Sequence, residues 1–386
     1  MSATWFDLGA RLRAAHDGAP TQVAAYSTSL PVNAPVAVLT WREGGQIHIE
    51  ATDGREVVAA AGPDALAALT GLGVRLGAVH RTLVVADRAT VSDLATLART
   101  AGHEESASVI GWWDQRADHP GSGAVHMVVP AARARWVLGV APEREQQLGT
   151  WMEWLGVQSE GATGLLELAT ITSGGPVLPG LLVMAEADSR SWKYHVERIT
   201  TKGWDWRTSD TRKEAALGLA TRNDATELFE SLRLGDPMVA AREAWRGQVV
   251  TGHVVSHDDA HLVVEATAPL SRLRAGAEVA GWSGDPSQTE AAIQRLDKAR
   301  IVSTSMSPTA VLTLVLTDCI TRPGQFAPGQ EVTLRPAPVS DTVQQRRRMG
   351  MSSRYSRSGN WLAGRGKPTV RRADVPFDVL LAAADD

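Results

Sequence analysis

The sequence predicts a multi-domain α+β protein: a mixed α/β module at 1–140, a helical and hairpin connector at 141–245, a small six-stranded β-barrel at 246–338, and a basic tail at 339–386. Three observations predict it. The 386 residues exceed the ~250 at which single cores stop growing, and 44% hydrophobic against 21% charged residues is the composition of a folded chain, so at least two cores are expected. Helical and alternating spacings mix through the first 245 residues and give way to closely spaced β-rich runs. After residue 338 the chain turns to Arg, Ser and Gly and loses its branched apolar residues.

In the first module, MSATWFDLGARLRAAHDG sets Asp7, Arg11, Arg13 and Asp17 among apolar residues, which reads as an amphipathic helix and not as an export signal. PVAVLTW, QIHIEA and REVVAAA are β-type runs joined by the turn pairs Gly44-Gly45 and Asp53-Gly54, an antiparallel meander. Pro63-Asp64 opens a helix through Leu72, TLVVA is a buried strand, and VSDLATLARTA has helical spacing. SVIGWW and AVHMVVP are expected to return to strands, which leaves room for one βαβ unit.

In the connector, Leu148, Trp151, Met152 and Leu155 recur at helical intervals. GLLVMAEA and SWKYHVERI flank Asp188-Ser189-Arg190, and the second run alternates Trp192, Tyr194 and Val196 with Lys193, His195 and Glu197, which predicts a hairpin. Two helices, TRKEAALGLA and ATELFESLRL, follow before Gly235-Asp236-Pro237 breaks the pattern.

GQVVTGHVVS, AHLVVEAT, AEVAGW, ARIVSTS, TAVLTLVLT and QEVTLRP are six short β-rich runs with turn signals between them, so a barrel is expected, with Val249, Val254, Val263 and Val315 facing its core. Through GQVVTGHVV, LRAGAEVAGW and PGQEVTL, about a quarter of the chain, this region resembles the second-domain barrel of translation GTPases and of its reductase and isomerase relatives. The resemblance implies an architecture. Such barrels serve as nucleic-acid, protein-docking or flavin-binding modules, so no activity follows from it.

The net charge of −4 conceals an asymmetry. Residues 341–372 hold nine bases, Arg346, Arg347, Arg348, Arg354, Arg357, Arg365, Lys367, Arg371 and Arg372, against the single acid Asp341, a charge of +8. Four Asp follow after residue 373, which leaves −8 on residues 1–340. The tail buries too little apolar surface to offset its ordering entropy, so it is expected to be disordered when free.

Several function classes lack their signatures. The sole Gly-Lys pair, Gly366-Lys367, has Trp361 where a phosphate loop needs its first Gly, and Pro368 follows it. GxGxxG before a helix, GxSxG and HExxH are not found. Cys319 is the only cysteine, which excludes an intrachain disulfide and a cysteine-rich zinc site. The most apolar stretch, 65–86, is broken by Arg75, His80 and Arg81, so no membrane span and a cytoplasmic home are expected.

Four constellations remain. His253, His257 and His261 with Asp258 and Asp259 would offer imidazoles and a carboxylate to a metal if a strand put 253 and 257 on one face; the same residues suit a plain hairpin turn, the preferred reading, with no metal or other cofactor expected. Asp87 ends a strand just before the helix carrying Asp93, where catalytic acids gather but where caps are equally at home. Residues 190–213 interleave Lys193, Lys202 and Arg207 with Trp204 and Trp206, a mixture that suits single-stranded nucleic acid, although Trp192, Tyr194 and Val196 also read as core. The basic tail carries the strongest electrostatic signal, suited to phosphate or to an acidic surface.

Together these predict a non-catalytic subunit of a nucleic-acid-handling assembly, whose partner is DNA, RNA or a partner protein subunit bound through the tail and the aromatic-basic stretch. The alternatives are a metal-dependent hydrolase without a recognisable motif and a purely structural assembly subunit, in which the 13 Trp act as interface anchors.

Overall fold

The computed structural model describes residues 5–100, 105–207, 210–289, 292–339 and 341–356. They fall into two compact units. The larger takes the chain up to residue 208 together with 224–339, and the smaller takes 209–223 with the chain beyond 339.

After helix α1 (Trp5–Asp17) and a short strand β1 (Thr21–Gln22), the larger unit builds a five-stranded sheet. Its strands are β2 (Val36–Glu43), β3 (Gln46–Thr52), β4 (Val57–Ala61), β5 (Leu83–Val85) and β6 (Val125–Met127), in the spatial order β4-β3-β2-β5-β6. The meander β2-β3-β4 is antiparallel, as expected, and Gly44 and Gly45 at φ 58° and 79° supply the two positive φ values that its first turn demands. β5 and β6 run parallel to β2.

Strand period 2 divides the core between two faces of this sheet. Val36, Val38 and Ile49 pack with α2 (Asp64–Gly71), α3 (Arg88–Thr100) and α4 (Glu105–Arg116), while Ala37, Leu39 and Val84 meet α5 (Val128–Arg135), α6 (Leu148–Trp154) and α7 (Gly161–Ser173). The helices of the expected connector thus supply a layer to the first sheet. Glu50 on β3 fixes α7 by accepting the Ala162 N–H at 2.7 Å.

SVIGWW lies in α4, not in a strand. Val109, Ile110, Trp112 and Trp113 are all buried, and a short run that is apolar on every side carries no period by which helix and strand can be told apart. Gly111 on this helix is required by packing, because a Cβ there would sit 2.3 Å from the Trp206 ring. AVHMVVP is only in part a strand, since α5 starts at Val128 straight after β6.

The expected hairpin at 180–199 is a single helix over most of its length, α8 (Leu182–Thr200). Its buried residues, Met184, Asp188, Trp192 and His195, recur at helical spacing, and the six-residue alternation from Trp192 to Glu197 lies within that longer period. The two helices expected next are one, α9 (Arg212–Arg233). After a short strand β7 (Trp136–Val137), which pairs with β1, and after α9, helix α10 (Pro237–Ala244) begins where the pattern breaks. Asp236 caps it, accepting from Met238 N and Val239 N, and its other carboxylate oxygen accepts the Tyr26 N–H at 2.8 Å.

All six β-rich runs form strands: β8 (Val250–His257), β9 (Leu262–Ala266), β10 (Glu278–Ser283), β11 (Arg295–Met306), β12 (Leu312–Arg322) and β13 (Glu331–Pro336). They close an antiparallel barrel in the order β10-β11-β12-β9-β8-β13. The interior is filled by Val254, Leu262, Val264, Leu314, Leu316 and Phe326 among others. Val263 and Val315, expected inside, pair with each other on the outer surface, because the strand phase is one residue away from the expected one. Val249 is buried outside the barrel, where it joins Ala24, Leu234, Val239, Ala240 and Trp282 in a seam between barrel and α10.

In the smaller unit, residues 341–356 of the expected disordered tail form helix α11 (Asp341–Ser356). The remainder of that tail lies outside the described residues.

Candidate nucleic-acid interface

The acids considered for catalysis are occupied with structure. Asp87 accepts from Ala89 N at 2.8 Å and so caps α3, and Asp93 takes the Thr40 hydroxyl at 3.0 Å and the Arg42 guanidinium at 2.6 Å. HVVSHDDAH forms the β8–β9 hairpin, in which the Asp258 carboxylate accepts Ala260 N at 2.8 Å and His261 N at 2.7 Å, bonds that hold its pKa below the ordinary range. A β-bulge between Val254 and Ser256 shifts the strand phase, so His253 lies opposite Glu265 on the outside while His257 lies opposite the inward Leu262. Among the described residues, no three His, Cys, Asp or Glu side chains gather at metal-ligand spacing.

His257 has a role that the turn reading does not supply: its Nδ1 accepts the Phe326 N–H at 2.8 Å. A turn residue would tolerate His257→Ala within about ±0.5 kcal/mol. With this acceptor removed, the expected cost is about 1 kcal/mol, measured by chemical unfolding, and His257→Asn is expected to restore part of it.

The aromatic-basic stretch is half-buried, and most of its members have partners within the fold. Trp192 is core: it meets Trp112 edge-on at 4.9 Å and donates Nε1–H to the Gly77 carbonyl. Trp204 is covered by the Arg198 guanidinium, 3.9 Å from its ring centroid, and Trp206 packs over Gly111. Arg207 is forked onto the Asp205 carboxylate, and Lys202 pairs with Glu197 at 3.0 Å. Lys193 is exposed on α8. The stretch therefore does not present the row of open aromatic faces on which successive bases stack.

Arg346, Arg347 and Arg348 lie on α11, the first two exposed and the third bonded to Gln344 one turn earlier. Position 354 lies two turns beyond 347 on the same helix. Arg357, Arg365, Lys367, Arg371 and Arg372 lie outside the described residues. In the larger unit, Arg11 meets Glu145 at 2.7 Å, Arg88 and Arg99 converge on Asp114 at 2.8 and 2.7 Å, and Arg322 meets Asp297 at 2.9 Å. In the tail no acid occurs between Asp341 and Asp374.

One polar constellation escaped sequence reasoning. Asp188 on α8, 1% exposed, accepts from Arg116 of α4, from Ser122 Oγ at 2.9 Å and from Gly123 N at 2.7 Å. It ties α8 to the loop entering β6. No local signal marks it, because its partners lie more than 60 residues away and the DSR run reads as a turn.

Comparison of the chain with protein-family models, with curated proteins and with solved structures finds no match. Among the described residues, no helix is long and apolar enough to cross a membrane.

Proposed function

We propose that this chain is a non-catalytic subunit of a nucleic-acid-handling assembly and that it holds phosphate through the basic segment 346–372. One observation carries the reading: the segment 346–372 holds nine cations and no acid, a concentration of positive charge on a chain whose residues 1–340 carry −8. The fixed roles of Asp87 and Asp93 support the non-catalytic part of the reading. The aromatic-basic stretch is given the smaller part, since Trp192 is core, Trp204 is covered by Arg198, Trp206 packs over Gly111, and Lys202 and Arg207 already pair with Glu197 and Asp205.

A protein partner is the second reading. Trp245 is 84% exposed, and Arg246 beside it pairs with Asp7 of α1, whose Phe6, Leu8 and Leu12 are exposed as well. Exposed apolar side chains gathered near one ion pair suit a protein contact. The experiment that separates the readings is oligonucleotide binding by the full chain and by the variant R346E/R347E/R348E. A weakened, less salt-dependent interaction in the variant supports the phosphate reading. No binding by either chain favours the protein partner.

A further inference from the structure

A cleft of the larger unit lies where α8 passes the amino ends of β5 and β6, and it has a volume of about 440 Å³, within the range of small-molecule sites. One wall is a single face of α8, with Leu182, Ala185, Ser189 and Lys193 at helical spacing; the other is formed by Leu30, Pro31, Val79 and His80. We propose that this cleft binds a small apolar organic anion, an aliphatic or aromatic carboxylate or its sulfonate equivalent.

Three features point to that class. The walls are aliphatic, and Val79 and Leu182 at the mouth are 68% and 69% exposed, so an apolar body inserted between them covers surface that now faces water. Lys193 is the one cationic side chain of the lining, while the carboxylate beneath it, Asp188, is already matched by Arg116. An anionic head therefore meets a net positive charge at the rim. Finally, two of the four buried side-chain polar atoms that have no partner among the described residues, His80 Nδ1 and Arg116 Nε, belong to this wall or to the ion pair under it. Burial also lowers the His80 pKa, with Asp188 acting against it. Unsatisfied polar groups are costly and are ordinarily removed from a merely structural seam.

The test uses the full chain and the probe 8-anilinonaphthalene-1-sulfonate, an aromatic monoanion whose fluorescence rises in apolar surroundings. One dye per chain is expected, with affinity reduced at least tenfold by Lys193→Glu and by Ala185→Trp, which fills the cleft, and retained by Lys193→Arg. Decanoate is expected to displace the dye, and decylamine is not. Absence of dye binding, equal binding by Lys193→Glu and the parent chain, or equal displacement by decylamine overturns the proposal. Should Ala185→Trp misfold, the surface substitution at Lys193 decides alone. Circular dichroism of each variant checks that the fold is kept.

Discussion

Asp188→Ala is expected to destabilise the larger unit by about 3–5 kcal/mol, the scale found when one partner of a buried ion pair is removed. The Arg116 side chain is 9% exposed and its partner 1%, so the substitution leaves a guanidinium without water or counter-charge. Ser122 Oγ and Gly123 N lose their acceptor in the same step, and with them the hold of α8 on the loop that enters β6. Asp188→Asn keeps one of the two acceptor oxygens and is expected to cost less. The double substitution Arg116→Met with Asp188→Leu is expected to recover most of the loss, because an apolar pair carries no desolvation penalty. Chemical unfolding followed by tryptophan fluorescence reports these differences, since Trp112 and Trp192 are buried one turn from the pair on α4 and α8. If Asp188→Ala unfolds at the same denaturant concentration as the parent, the ion pair is not structural.

Stability is expected to fall by several kcal/mol as the pH drops from 6.5 to 4. Burial pushes the pKa of His126 and of His195 down to about 4, whereas an unfolded imidazole titrates near 6.5. A depressed imidazole pKa means that the unfolded chain binds more protons across this window. Its contribution is thus complete above pH 6.5 and lost as the pH falls toward 4, by about 3 kcal/mol for each group. The hydrogen bonds agree with neutral rings. The Thr172 hydroxyl donates to the Leu168 carbonyl at 2.9 Å, so His126 Nε2–H donates to Thr172, and His195 Nε2–H donates to the Ser108 carbonyl at 2.8 Å. Unfolding midpoints of the parent and of His126→Gln, measured from pH 7.5 to 4, check this. The variant is expected to start lower and to lose less on acidification; identical slopes would contradict it.

The barrel was the most legible part of the fold, because six closely spaced β-rich runs leave few architectures, and all six became strands. Phase was harder to read. A one-residue shift sends Val263 and Val315 to the outside, and in TAVLTLVLT both strand faces carry β-forming residues, so alternation does not choose between them. The sequences of α4 and α8 suggest strands for related reasons: α4 is apolar all round over SVIGWW, and α8 turns a helical stripe into apparent alternation over six residues. The candidate sites divide along the same line. A charge run such as Arg346 to Arg348 is a property of the sequence alone. Whether Trp204 is open to a base or covered by Arg198 depends on contacts that no spacing encodes. The bulge that separates His253 from His257 is equally silent in the sequence.

The central claim, that phosphate is held by the basic segment, is tested most directly by the salt dependence of single-stranded oligonucleotide binding, comparing the full chain with a chain ending at residue 340. Each phosphate contact contributes roughly 0.7 to the log-log slope on a single strand, so engagement of about six of the nine cations gives a slope near −4. Truncation is expected to reduce affinity at low salt by orders of magnitude and to bring the slope close to zero. Equal affinity and equal slope in the two chains would contradict the account.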